Sequence, residues 1–354
     1  MPDKQQKVLL IGRADLDGIM MDGQTVKTRT IYQQLEHHFG KGSIILVETK
    51  DYKKRALPIF ASCLVGLVKC NHIIVVLSRN GRRFFFPLLA FAERHLGKHV
   101  FHCLIGGALA DDVRKNHGEI RYLNAFDVNW VEFPSLARDL KSLGVSNVQY
   151  LPNFKNLRQV APEDLLPTKS PWRFCTFSRV SKSKGIADAI AAVETLRSEG
   201  LNCSLDVYGP IDPNFDKEFG QLIKSYSGTN YMGCIDAEKS VEAIRGYSAM
   251  LFPTKWSGEG MPGTVIDSLA AGLPVLAYRW RYYPEILEDG VTGYSCTPEV
   301  DELISIMRKF MNISADAQMN MKRQCLLRSY QYDASAAVGR IANEIETIST
   351  GRSL

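Results

Sequence analysis

None of the eight cysteines in this 354-residue chain forms a C-x-x-C pair, and none has a histidine at metal-binding spacing. A zinc site of the finger or ribbon kind is therefore excluded. Several cysteines sit in apolar runs, such as Phe174-Cys175-Thr176-Phe177. They read as reduced, buried thiols of a cytosolic protein. No segment approaches the ~18 apolar residues of a membrane span. The start, Met1-Pro2-Asp3-Lys4, is too polar for a signal peptide, so a cytoplasmic location is expected. Glycine (27) and proline (15) follow no period, which excludes a fibrous chain. Asp-x-Asp occurs only as Asp15-Leu16-Asp17, with no further ligand nearby in sequence. No metal is expected.

What is present is an ordinary globular balance, 45% hydrophobic and 23% charged. The length suggests two domains. Charge is uneven along the chain. Residues 1–165 hold 23 Lys+Arg against 16 Asp+Glu, a net +7. The remainder holds 20 against 22, a net −2, and all seven histidines precede residue 118. The first half is expected to face something anionic. No nucleic-acid motif accompanies that charge, so nucleic acid is not an expected partner.

Short apolar runs alternate with helical stretches, the pattern of a parallel, doubly wound sheet. Strands are predicted at 7–12, 43–47, 72–77, 99–104 and 147–151, with a helix over 25–39. Pro162, Pro167 and Pro171 punctuate a polar linker. A second series follows, with strands at 174–178, 204–208, 230–232, 249–252 and 274–278. Ile186, Ala189, Ile190, Val193 and Leu196 form one helical stripe, stopped by Gly200. Residues 334–348 form a last amphipathic helix. The expected architecture is α/β with two Rossmann-like domains: 1–165, 166–333, and a terminal segment 334–354 that packs back on the first.

Two constellations could carry chemistry. Arg179 and Lys184 flank the turn between a strand and a helix. They are either two solvated cations or a clamp for a diphosphate at a helix N-terminus. Glu259 lies in a glycine loop and Asp267 in the helix after it. Both are either surface acids or acceptors for the hydroxyls of a polyol. Gly260 and Gly263 would let backbone N–H groups approach a phosphate. Gly258-Glu259-Gly260-Met261-Pro262-Gly263 also spells G-x-G-x-x-G. It follows a late strand rather than the first one, and Pro262 removes a donor, so it is not read as a dinucleotide fingerprint. In the first half, Lys50, Lys53, Lys54 and Arg55 cluster, and Arg79, Arg82 and Arg83 precede Phe84-Phe85-Phe86. That pattern fits either a weak anionic membrane seat or a core-facing helix with a basic end.

Taken together, the motifs resemble family 4 retaining glycosyltransferases of the GT-B fold, in the capsular and exopolysaccharide branch. Arg179 and Lys184 match that family's R-x4-K pair. Glu259-Gly260-Met261-Pro262-Gly263 through Asp267 matches its E-x7-E segment, with Asp in the second acidic place. Leu151-Pro152-Asn153-Phe154 and Pro284-Glu285-Ile286 match flanking segments. The resemblance implies two domains facing across a cleft and transfer of a hexose from a nucleotide diphosphate sugar to a glycan or lipid-linked acceptor. It implies that Arg179, Lys184 and Glu259 are catalytic. Gly23, Gly260, Met261, Gly263 and Asp267, with Arg179 and Lys184, would bind the donor without metal or cofactor. His102 lies within a strand rather than in the loop after it and reads as a core residue. A GT-B sugar-nucleotide epimerase and a non-catalytic glycan-binding member are the alternatives.

Overall fold

The computed structural model describes residues 7–18, 20, 22–168 and 170–350; Met1-Pro2-Asp3-Lys4 lies outside them. The chain divides into two compact units. Unit 1 runs through Asn156 and resumes at Tyr332, and unit 2 is Leu157–Gln331.

Unit 1 contains β1 (Val8–Gly12), β2 (Ile44–Glu48), β3 (His72–Val76), β4 (His99–Cys103), β5 (Val128–Val131) and β6 (Val148–Tyr150). They form one parallel sheet in the order β2-β1-β3-β4-β5-β6. Every residue of β1 and β3 is buried, as the unbroken apolar runs require when helices cover both faces. Ile31 and Leu35 of the helix Gly23–Phe39 pack on Val8, Leu10 and Phe101. The helix Ala334–Thr350 adds Val338, Ile341 and Ile345 to the same core. Its entry is fastened by Lys155 N–H donating to Tyr332 O (3.1 Å) and Ala334 N–H donating to Lys155 O (2.9 Å).

Unit 2 contains β7 (Trp172–Phe177), β8 (Cys203–Tyr208), β9 (Thr229–Gly233), β10 (Ala249–Phe252), β11 (Val275–Tyr278) and β12 (Gly293–Cys296). Its parallel order is β12-β11-β10-β7-β8-β9. The helix Ile186–Ser198 buries the stripe read from sequence, and Gly200 follows it at φ +90°.

Two strands escape the sequence pattern. β5 is Val-Asn-Trp-Val and β12 is Gly-Tyr-Ser-Cys, each with a polar residue in a run of four. Asn129 is buried because its amide is satisfied. It donates to Leu123 O (2.9 Å), and its Oδ1 meets His102 Nδ1 at 3.0 Å. His102 itself is fully buried, and burial, with Arg82 nearby, pushes its imidazole down to about 3.

The basic run at 79–83 is corrected by the packing. Arg82 is buried and donates to Asp112 Oδ2 at 2.6 Å, with Glu119 at 3.9 Å. Asp112 also pairs with Arg79 at 3.1 Å. A guanidinium leaves water only with such partners. Of the three arginines, Arg83 is the one left exposed without an ion pair among the described residues. Phe85, Phe86 and Leu89 turn inward.

Candidate active site

Open parallel sheets bind ligands outside the carboxyl ends of their strands, where the strand order reverses. In unit 2 the reversal lies between β7 and β10: the chain runs from β7 to β8 and β9 on one side and returns through β10 on the other. The loops leaving β7 and β10 carry both sequence constellations.

The loop after β7 contains Arg179, which is exposed and has no ion pair among the described residues. A single 3₁₀ turn, Lys182–Lys184, then leads through Gly185 into the helix Ile186–Ser198. Gly185 has φ +67°, and a Cβ built there would lie 2.0 Å from Pro253 O. Only glycine fits that left-handed turn pressed against the next loop. Lys255 N–H also donates to Ser183 O (2.8 Å). The two loops are therefore tied backbone to backbone.

The loop after β10 brings in the acid. Lys184 Nζ pairs with Glu259 Oε2. The buried Thr254 hydroxyl donates to the same oxygen at 2.8 Å, and Thr254 Oγ1 accepts from Trp256 N–H at 3.3 Å. The Lys184 ammonium also stands 5.8 Å from the centre of the Phe252 ring, a favourable cation–π placement. The sequence allowed a solvated loop acid at Glu259, with no packing demand for a carboxylate. The structure instead buries it, since lysine and threonine supply the bonds that water would have made.

The second acid stands on the helix that follows this loop. Asp267 is buried in the second turn of the helix Gly263–Ala270. Gly260 and Met261 are buried in the loop and Gly263 opens the helix. Gly23 belongs to unit 1, where it opens the helix after β1; a Cβ there would have nothing within 4 Å. The structure thus joins Lys184 directly to Glu259. It sets Arg179, Gly260, Met261 and Gly263 on loops or a helix start at the same sheet edge.

Sequence reading missed a supporting set. Thr254 follows the last proline of the strand exit and gives no pattern of its own. Lys255 pairs with Asp188 at 2.6 Å, and the Tyr278 hydroxyl donates to the same Asp188 oxygen at 2.7 Å. Burial and that carboxylate push the Tyr278 phenol above its ordinary value. In unit 1, Lys27 and Glu132 form a buried pair at 2.8 Å, and Lys27 also donates to Leu104 O (2.9 Å). Their separation of more than a hundred residues in sequence hides that pair from any local reading.

Residues 158–325 match the family model described as Glycosyl transferases group 1. A glycogen synthase of Mycobacterium tuberculosis is 24% identical over 174 residues, 48% of this chain and 42% of that protein. The amylovoran biosynthesis glycosyltransferase AmsK of Erwinia amylovora is 26% identical over 160 residues, 41% of this chain and 37% of that protein. The chain thus spans about two fifths of the length of these curated relatives. The solved structure of Anabaena HepE in complex with UDP-glucose superimposes with a TM-score of 0.71 at 14% identity, covering 96% of this chain and 99% of that one. The two six-stranded parallel sheets and this likeness establish the architecture: the chain has the GT-B fold, and its residues 158–325 are similar to the Glycosyl transferases group 1 model.

Proposed function

We propose that the protein is a retaining family 4 glycosyltransferase. It moves a hexose from a nucleotide diphosphate sugar to a hydroxyl of a glycan or lipid-linked glycan in surface polysaccharide synthesis. The observation that carries the reading is the meeting of Lys184 and Glu259 from the two loops that flank the strand-order reversal in unit 2. The UDP-glucose complex of a protein of the same fold favours a uridine nucleotide as donor. AmsK, by its name, is a glycosyltransferase of amylovoran biosynthesis.

In this reading Arg179 and Lys184 face the diphosphate. The bond from the anomeric carbon to the phosphate oxygen breaks, and the electron pair leaves with the diphosphate. The two cations stabilise the charge that develops there. The acceptor oxygen bonds to the same face of the anomeric carbon, and its proton passes to the departing phosphate oxygen. Both protein hydrogen bonds to Glu259 fall on Oε2. Oε1 is then the acceptor for a donor-sugar hydroxyl. Gly260, Met261 and Gly263 line the donor, and Asp267 takes the ribose side. The cations replace a metal. A lipid-linked acceptor would hold the enzyme at the inner face of the membrane.

A panel of UDP, GDP and dTDP sugars tests this. One donor should raise the melting temperature by mass action and release nucleoside diphosphate only when acceptor is added. Lys184→Ala should abolish that release. Release without acceptor, or turnover that leaves the sugar unattached, would refute transfer.

A further inference from the structure

Unit 1 carries an apolar face that its own core does not use. The helix Tyr52–Lys69 turns Ile59, Cys63, Gly66 and Leu67 inward. A second stripe on the same helix, Leu57, Phe60, Leu64, Val65 and Val68, faces solvent. Leu57, Phe60, Leu64 and Val68, three and four residues apart, share one side of the helix, with Val65 at its edge. Leu57 and Val68 are 82% and 84% exposed, far beyond what scattered surface residues need. The neighbouring helix Arg79–Leu96 extends the patch. Phe84, 54% exposed, meets Phe60 edge-on at 6.2 Å, and Phe91 is exposed to the same degree.

Basic charge predominates around this patch, with Asp51 exposed just before the helix. Lys53, Lys54 and Arg55 stand exposed at one end of the stripe, Lys69 at the other, and Arg83 beside Phe84. The helix Tyr52–Lys69 contains no acidic residue. A second copy of this chain seated face to face would set these cations against one another, which opposes association. An anionic surface would meet both features at once: acyl chains for the apolar stripe and phosphates for its rim.

We propose that the helix Tyr52–Lys69, with Phe84, is the seat of unit 1 on an anionic lipid bilayer. This names the surface behind the membrane location inferred above, and it differs from the sequence expectation, because Arg79 and Arg82 are committed to Asp112. It holds whether or not the protein transfers a sugar, and the readouts separate the two.

The test is flotation of the full chain with phosphatidylcholine vesicles, with and without about 30% phosphatidylglycerol. Wild type should float with the anionic vesicles at low salt and not with the neutral ones, and high salt should release it. Lys53→Gln with Lys54→Gln should weaken partitioning about 25-fold, at about fivefold per cation. Leu57→Asp with Val68→Asp should weaken it at least tenfold. Both positions are so exposed that the thermal midpoint should stay at the wild-type value. Turnover on a short soluble acceptor should be unchanged in both double variants. Wild type that ignores anionic vesicles, or either double variant that floats like wild type, would overturn the proposal. So would a wild-type dimer in solution that the Leu57→Asp, Val68→Asp variant splits, which would give the face to a second copy. Absence of acceptor-dependent turnover in the wild type would count against the transferase reading and leave the lipid seat intact.

Discussion

Gly185→Ala is the sharpest probe of how the two loops are held. At φ +67° any side chain costs roughly 1–2 kcal/mol. Gly200→Ala, at φ +90° with nothing within 4 Å, has the same backbone cost and no other. For a unit of this size each kcal/mol lowers the melting temperature by about 2–4 °C, so both variants should lose roughly 2–8 °C from that source. The difference lies in contact. The alanine Cβ at 185 would sit 2.0 Å from Pro253 O, whereas real Cβ atoms stay beyond 3.0 Å. The strand exit must retreat by about 1 Å. Thr254 is the next residue, and its hydroxyl fixes Glu259. A displacement of that size at a reacting centre costs on the order of a hundredfold in rate. Acceptor-dependent release of nucleoside diphosphate, read beside thermal unfolding, measures both quantities. Gly200→Ala should turn over like wild type, and Gly185→Ala about a hundredfold more slowly. Equal turnover in the two variants would show that the loop contact does not govern the site.

Other outcomes follow from the same geometry. Arg179→Ala should slow turnover about a hundredfold, if it supplies ~3 kcal/mol to the leaving diphosphate, with no loss of stability, because its side chain is exposed; steady-state kinetics and a melting curve check both. Glu259→Gln should impair donor use and also lower the melting temperature, since it leaves the Lys184 ammonium without its anionic partner. Chelation with EDTA should leave turnover intact; loss restored by magnesium or manganese would refute metal independence. Lys322 is buried with one long bond, to Tyr247 O at 3.4 Å, and burial pushes its amine from the ordinary 10.5 down to about 8. The unfolded chain then binds the extra proton between these values, so the Lys322 contribution to stability should rise from pH 8 toward 10.5, against the fall contributed over the same range by buried thiols such as Cys63, Cys296 and Cys325, which burial pushes up. Lys322→Met should remove that rise and be more stable at pH 7 by up to about 3 kcal/mol, at 1.36 kcal/mol per pH unit.

Much of this fold can be read locally. β10 lies where its apolar run ends, and the helix Ile186–Ser198 buries every residue of the stripe that predicts it. Such elements announce themselves because burial acts residue by residue along a single segment. β5 does not, because its asparagine is made acceptable by Leu123 and His102, which belong to other elements. The candidate site divides the same way. The residue types and spacings of Arg179, Lys184 and Glu259 are visible in sequence. The burial of Glu259 is not, since it depends on a lysine 75 positions away and on the Thr254 hydroxyl. Arg82 gives the opposite lesson. A run of arginines looks solvated until Asp112 and Glu119 are brought beside it by the fold.

The return of the chain to unit 1 has a consequence for biosynthesis. Residues 157–331 leave the ribosome as one block before the helix Ala334–Thr350 appears. Unit 2, coded second, can therefore finish folding first, the reverse of the usual order. Until that last helix emerges, the part of the unit 1 core that Val338, Ile341 and Ile345 will cover stands open. The nascent chain carries this sticky surface through the whole synthesis of unit 2. Lys155 lies just before unit 2 and Tyr332 just after it, and they are hydrogen-bonded in the finished protein. A folded unit 2 that holds its two ends close would deliver the late helix to its place with a short search, where an unfolded one would leave it at the end of a long tether. Translation pauses or chaperones that protect unit 1 would act in that interval.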